Sequence, residues 1–161
     1  MSRPLDPLPG RGHGLSGPYD RGWIQAHIPH QGRMCLLDSV VSWDDCRARC
    51  RATTHRALDN PLRARGQLGA ACAIEYAAQS MAVHGALLAS AAGTTVLAGL
   101  VASVRGVMIT VLRLDDLEGD LLADVERVAS DEHSALYVFG ISHDGSTLVS
   151  GRATIAFRVP A

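Results

Sequence analysis

The sequence predicts an α+β domain in which a curved antiparallel sheet wraps one side of a long central helix and a second copy of the chain covers the other. Three observations predict it. Residues 70–88 read as one helix that is apolar on nearly every side, and such a helix belongs inside a protein. Two strand-like segments precede it and four follow it, so the sheet is assembled around a single helix. His143-Asp144-Gly145-Ser146 joins the last two strands as a tight hairpin, because Asp-Gly supplies the positive φ such a turn demands. One sheet cannot cover a helix that is apolar all round, which is why the domain is expected to dimerise.

The elements follow in order. Residues 1–20 are expected to be a flexible leader, since Pro4, Pro7, Pro9, Gly10, Gly12, Gly14, Gly17 and Pro18 leave no room for a regular element; the folded domain is residues 21–161. Residues 34–43 form an apolar run read as a strand, Asp44-Asp45 as a turn, and residues 46–54 as a half-buried strand alternating Arg with small or apolar residues. The polar residues 55–69, with Asp59-Asn60-Pro61 and Gly66, read as an ordered loop leading into the helix, which Ala92-Gly93 stops. Residues 95–104, 120–130, 134–142 and 147–159 complete an antiparallel meander.

Composition narrows the function. The chain has 161 residues, 47% of them hydrophobic, and a mean hydropathy of +0.11, enough for one domain with a substantial core. Fifteen basic residues, all Arg, nearly balance sixteen acidic ones and are scattered along the chain, so no basic tract suits a nucleic-acid backbone. No apolar stretch is long enough to span a bilayer, and residues 1–22, rich in Pro and Gly, contain no apolar h-region of the kind a secretory signal needs. Cys35, Cys46, Cys50 and Cys72 lack the spacing of a zinc site and read as buried free thiols in a reducing, cytoplasmic setting.

Within the long helix the one carboxylate is Glu75. Burial costs such a group its hydration, so a partner or a chemical role is required of it, although a position near the helix start also suits a carboxylate electrostatically. Gln79 stands one turn on, placed to orient Glu75. Tyr76, Ser80 and His84 share another face, where a histidine is more often a satisfied interior residue than a catalyst. Gly119-Asp120 reads as a strand entry.

Four segments, Ile28-Pro29-His30-Gln31-Gly32-Arg33-Met34-Cys35-Leu36-Leu37-Asp38, Asn60-Pro61-Leu62-Arg63, Ile74-Glu75-Tyr76-Ala77-Ala78-Gln79 and Leu117-Glu118-Gly119-Asp120, together resemble the hotdog-fold 3-hydroxyacyl-[acyl-carrier-protein] dehydratases, most nearly the branch associated with aryl polyene clusters. The resemblance implies a dimeric hotdog fold and a lyase of fatty-acid, polyketide or polyene biosynthesis. It makes Glu75 the catalytic acid, working with a loop histidine contributed across the dimer interface. The corresponding stretch here, Asn60-Pro61-Leu62-Arg63, holds no histidine. His55, which opens the same loop, is the preferred substitute and His30 the second, because loop insertions move a side chain at little thermodynamic cost.

The implied chemistry is loss of water from a 3-hydroxyacyl thioester on the 4'-phosphopantetheine of an acyl carrier protein, giving a trans-2-enoyl product without metal or organic cofactor. A neutral histidine takes the proton α to the thioester, and Glu75, its pKa expected to be raised by apolar surroundings, protonates the departing hydroxyl. Backbone N–H groups of residues 70–73 are the expected donors to the thioester oxygen. Gln79, Tyr76 and Arg63 are candidate substrate-binding residues, Arg63 lying with Arg56 and Arg65 where an acidic carrier or its phosphate would meet the pocket mouth. Two rivals stay open: a hotdog thioesterase in which Glu75 activates water, and a non-catalytic hotdog subunit paired with an active dehydratase. The assembly is accordingly a homodimer or a heterodimer with another hotdog protein.

Overall fold

The computed structural model describes residues 19–158, so nearly all of the leader, including its expected flexibility, lies outside the described residues. Helix α1 (Arg21–His27) begins where Asp20 caps it, its side chain accepting the Trp23 N–H at 3.0 Å, and it buries Ile24. This helix lies just past the expected leader, in a stretch where the sequence predicts no element. Seven residues with one fully buried side chain give too little periodicity to be read from sequence.

After α1 the chain runs through a short 3-10 turn (Gly32–Met34) and the buried Cys35, Leu36 and Leu37 before β1 (Ser39–Trp43). The apolar run expected to be one strand is therefore half core-filling loop. Arg21 holds this loop down by donating to the Cys35 carbonyl, and Asp38 accepts the Thr53 N–H at 2.6 Å. Asp44 makes the expected turn, taking the N–H groups of Cys46 and Arg47 at 2.8 Å each, and β2 (Arg47–Ala52) alternates buried small residues with outward Arg.

Helix α2 (Ala73–Ala92) follows a 3-10 turn at Ala70–Cys72 and ends at Gly93, whose φ of +66° a non-glycine residue rarely adopts. It lies against β2, β4 (Leu121–Ser130), β5 (Ser134–His143) and β6 (Ser146–Phe157). The six antiparallel strands run β1-β2-β4-β5-β6-β3, with β3 spanning Gly99–Ile109. Tyr76, Leu87, Leu121, Phe139 and Ile141 fill the space between helix and sheet. The architecture is the hotdog arrangement of one long helix against an antiparallel sheet.

Two expectations about β3 need correction. It does not join the meander beside β4 but crosses to the far edge and pairs with β6. It also runs through Arg105-Gly106 to Ile109, because a register shift between Arg105 and Met108, with Gly106 at φ +60°, absorbs what looked like a strand end.

Candidate active site

Glu75 lies in the first turn of α2 and His30 in the loop after α1, and the two meet within one chain. His30 Nε2 donates to Glu75 Oε1 at 3.1 Å, with the two side chains 27% and 34% exposed. The fully buried Gln79 ties the pair to the scaffold. Its Nε2 donates to the Met34 carbonyl at 2.7 Å and to Glu75 Oε1 at 3.2 Å, while its Oε1 accepts the Leu36 N–H at 2.9 Å. One amide thus holds both the helix carboxylate and the loop that follows His30.

Two donors converge on Oε1, leaving Oε2 without a partner among the described residues. The hydrogen bond from His30 and then that from Gln79 outweigh partial burial and hold the Glu75 carboxyl below its ordinary pKa. The sequence led to the opposite expectation, a raised pKa, because the apolar helix is visible there and the two donors are not. His30 Nδ1 is buried and without a hydrogen-bond partner.

His55 lies in a 3-10 turn (Thr54–Arg56), fully buried, with Nε2 donating to the Leu117 carbonyl at 2.9 Å and Nδ1 unpartnered. Burial lowers its pKa. Of the two histidines weighed from sequence, the structure brings the second-ranked, His30, to Glu75 and leaves the first-ranked, His55, bound to a backbone carbonyl.

Tyr76 of α2 and Arg63 both bond to the loop that precedes the helix. Thr54 donates its single hydroxyl proton to the Leu36 carbonyl at 2.6 Å, so the Tyr76 hydroxyl donates to Thr54 Oγ1 at 2.9 Å and accepts from Asn60 Nδ2 at 3.1 Å. The Arg63 guanidinium donates to the carbonyls of Ala57 at 2.9 Å, Gly66 at 3.0 Å and Arg56 at 3.4 Å, and lies 3.7 Å from Asp115.

Asn60, in the stretch where the resemblance put a histidine, fastens the loop to α2. Its Nδ2 also reaches the Thr54 carbonyl at 2.9 Å and its Oδ1 takes the Leu62 N–H at 2.9 Å. Asn-Pro signalled the turn, but only the fold reveals the partner on α2. The expected oxyanion donors are mostly spoken for: the N–H of Ala70 bonds Leu112, that of Cys72 bonds Gly69, and that of Ala73 bonds Ala70 and Ala71, leaving Ala71 as the free amide among the described residues of that turn.

His84 is interior, donating Nε2–H to the Asp44 carbonyl and accepting the Tyr137 hydroxyl proton at Nδ1, each at 2.9 Å. Cys35 and Cys50 are buried thiols, whereas Cys46 is exposed and Cys72 half-buried, so burial holds for only part of the set. No helix among the described residues is long and apolar enough to cross a membrane.

A family model described as ApeP-like, ApeP dehydratase, matches residues 23–158. Among solved structures the chain is similar to the dehydratase heterocomplex ApeI:P from Xenorhabdus doucetiae, at 23% identity over 84% of this chain and 91% of that one, with a TM-score of 0.76. It is also similar to zebrafish thioesterase superfamily member 2, at 12% identity over 86% and 95% of the two chains, TM-score 0.58. The PaaI protein from the phenylacetic acid degradation operon of E. coli matches at 13% identity over 73% and 80%, TM-score 0.51. No curated protein matches the sequence.

Proposed function

The chain belongs to the ApeP-like dehydratase family, and from that premise we propose that it removes water from 3-hydroxyacyl thioesters carried on acyl carrier protein, in fatty-acid-like or aryl polyene biosynthesis. The observation that carries this reading is the His30–Glu75 contact of 3.1 Å, an acid–base pair that is anchored by Gln79 yet partly open to solvent.

The pair shares one working proton. In the resting pair we assign that proton to His30 and leave Glu75 a carboxylate. Transfer along the hydrogen bond gives a neutral imidazole and a protonated Glu75, the form competent for elimination. His30 then takes the proton from the α carbon, the carbon–oxygen bond at the β carbon breaks, and Glu75 protonates the leaving hydroxide to water while the α,β double bond forms. The products are the trans-2-enoyl thioester, water and the original ion-paired state, so no other proton source is needed. The free N–H of Ala71 is the donor we assign to the thioester oxygen as negative charge gathers there.

We further propose that the working unit is a dimer formed through β3. That strand is an edge with Leu100 53% and Met108 60% exposed, an open hydrogen-bonding ladder beside apolar side chains that suits another hotdog chain. The four thiols, free of disulfides, support a cytoplasmic setting. The test is to supply a 3-hydroxyacyl carrier protein and follow enoyl absorbance against release of free acid, for the chain alone and mixed with a second hotdog dehydratase. Enoyl formation is expected. Free acid without enoyl product would make the protein a thioesterase, and no enoyl product from the chain alone, with none beyond the second dehydratase's own rate in the mixture, would make it a non-catalytic subunit.

A further inference from the structure

Between the 3-10 turn that follows His30 and the start of β1, the chain has no strand or helix of its own to satisfy its backbone, and side chains do so instead. The carbonyls of Met34, Cys35 and Leu36 accept in turn from Gln79 at 2.7 Å, Arg21 at 2.5 Å and Thr54 at 2.6 Å. Leu36, fully buried, is held at both of its polar groups, its N–H by Gln79 Oε1 at 2.9 Å and its C=O by Thr54. The N–H fixes the sense of the Gln79 amide, because a flipped amide would set two donors against each other. With Oε1 committed to Leu36, it is the Nε2 end that meets Glu75. A buried residue has no water to replace a lost partner, so whatever holds the Leu36 backbone also holds the amide that braces Glu75.

From this geometry we propose that Thr54, oriented by the Tyr76 hydroxyl, is a positioning residue for the His30–Glu75 pair, acting through the Leu36 backbone and the Gln79 amide. That pair is the working one on the dehydratase reading above, on which the inference rests. Thr54 has a single hydroxyl proton, and it is spent on Leu36 because the Thr54 oxygen already takes the Tyr76 proton at 2.9 Å. Tyr76 in turn accepts from Asn60 Nδ2 at 3.1 Å, so the bonds run head to tail from Asn60 to the Leu36 carbonyl, each polarising the next. Tyr76 and Gln79 are (i, i+3) neighbours on α2 and share one side of it. One helix therefore grips the same loop residue twice, at its carbonyl through Thr54 and at its N–H directly, and thereby registers the loop that carries His30 against the turn that carries Glu75. Tyr76 is fully buried with its hydroxyl engaged as both donor and acceptor, which suits this role better than contact with substrate.

Thr54→Val keeps the side-chain shape and removes the hydroxyl, whereas Thr54→Ser keeps the hydroxyl, and the two together test the proposal. The first measurement is the Glu75 carboxyl titration by carbon NMR in the substrate-free protein. In Thr54→Val the Leu36 backbone loses its anchor and the donors on Glu75 loosen, so the Glu75 pKa is expected to rise toward the ordinary carboxyl value, while Thr54→Ser titrates as wild type does. The second is dehydration kinetics, in which Thr54→Val is expected to lose about 10- to 100-fold in kcat with little change in KM, the cost of a small misplacement of reacting groups, and Thr54→Ser to restore most of the rate. Tyr76→Phe leaves Thr54 its bond to Leu36 but withdraws the proton that orients it; it should move both readings in the same direction by less, and it takes the place of Thr54→Val if circular dichroism shows that chain unfolded. In whichever chain folds, a lowered melting temperature with an unmoved Glu75 titration would make the hydroxyl a contact of the fold alone and overturn the inference. Because the titration needs no substrate, an inactive wild type would sink the dehydratase reading without deciding this result.

Discussion

Glu75 carries two donors on one oxygen and none on the other, and that asymmetry sets what the residue does. Its depressed pKa means that the ionised carboxylate stabilises the fold; that contribution is present above the ordinary value of 4.5 and is lost as pH falls through the lower folded value. Replacing His30 with Asn removes the largest cause of the depression, so the Glu75 pKa should rise, as carboxyl-carbon NMR titration would detect. Glu75→Gln should cost about 100- to 10,000-fold in dehydration rate, the usual worth of a general acid, with an unchanged circular dichroism spectrum. Glu75 and Gln79 were legible in sequence because both lie on one helix face. The His30 partnership was not, because a contact spanning residues 30 to 75 depends on how α1 and the buried Leu36-Leu37 segment return the loop to α2.

Elements were legible in proportion to their regularity. Helix α2, the β1–β2 turn and the final hairpin follow from local chemistry, whereas α1 is too short to show a period and β3 is interrupted by a bulge. The least visible feature is how α2 is pinned. His84 joins it to β5 through Tyr137 and to the β1–β2 turn through Asp44, an arrangement that holds the imidazole neutral. Tyr137→Phe strands the His84 Nδ1 lone pair in the core and should cost about 1–3 kcal/mol in denaturant unfolding. Burial lowers the pKa of both His84 and His55, so the unfolded chain binds protons more readily than the folded one. Stability should therefore decline as pH falls below about 6.5, until the folded-state values are passed. A His84→Gln chain should show a flatter acid side in its stability profile, read as the difference in urea midpoint between pH 7 and pH 5.

At the scale of the whole molecule, the expected dimer derives from a helix that one sheet cannot cover, and the structure adds an edge strand with exposed apolar side chains on which to build it. Sequence could not place that edge, because the crossover of β3 to the far side of β6 is a property of topology. Changing Met108 and Leu100 together to Lys should therefore yield folded chain that no longer associates, as light scattering would read. The account of function stands or falls on which imidazole serves Glu75. The most direct measurement is the initial rate of water loss from a 3-hydroxyacyl carrier protein, in excess of the rate that the second hotdog dehydratase shows alone, for His30→Asn and His55→Asn chains at a temperature where both are folded. The account predicts a loss of about 100- to 10,000-fold for His30→Asn and a nearly wild-type rate with a lowered melting temperature for His55→Asn. Full activity without the His30 imidazole, or its disappearance with His55, would contradict it.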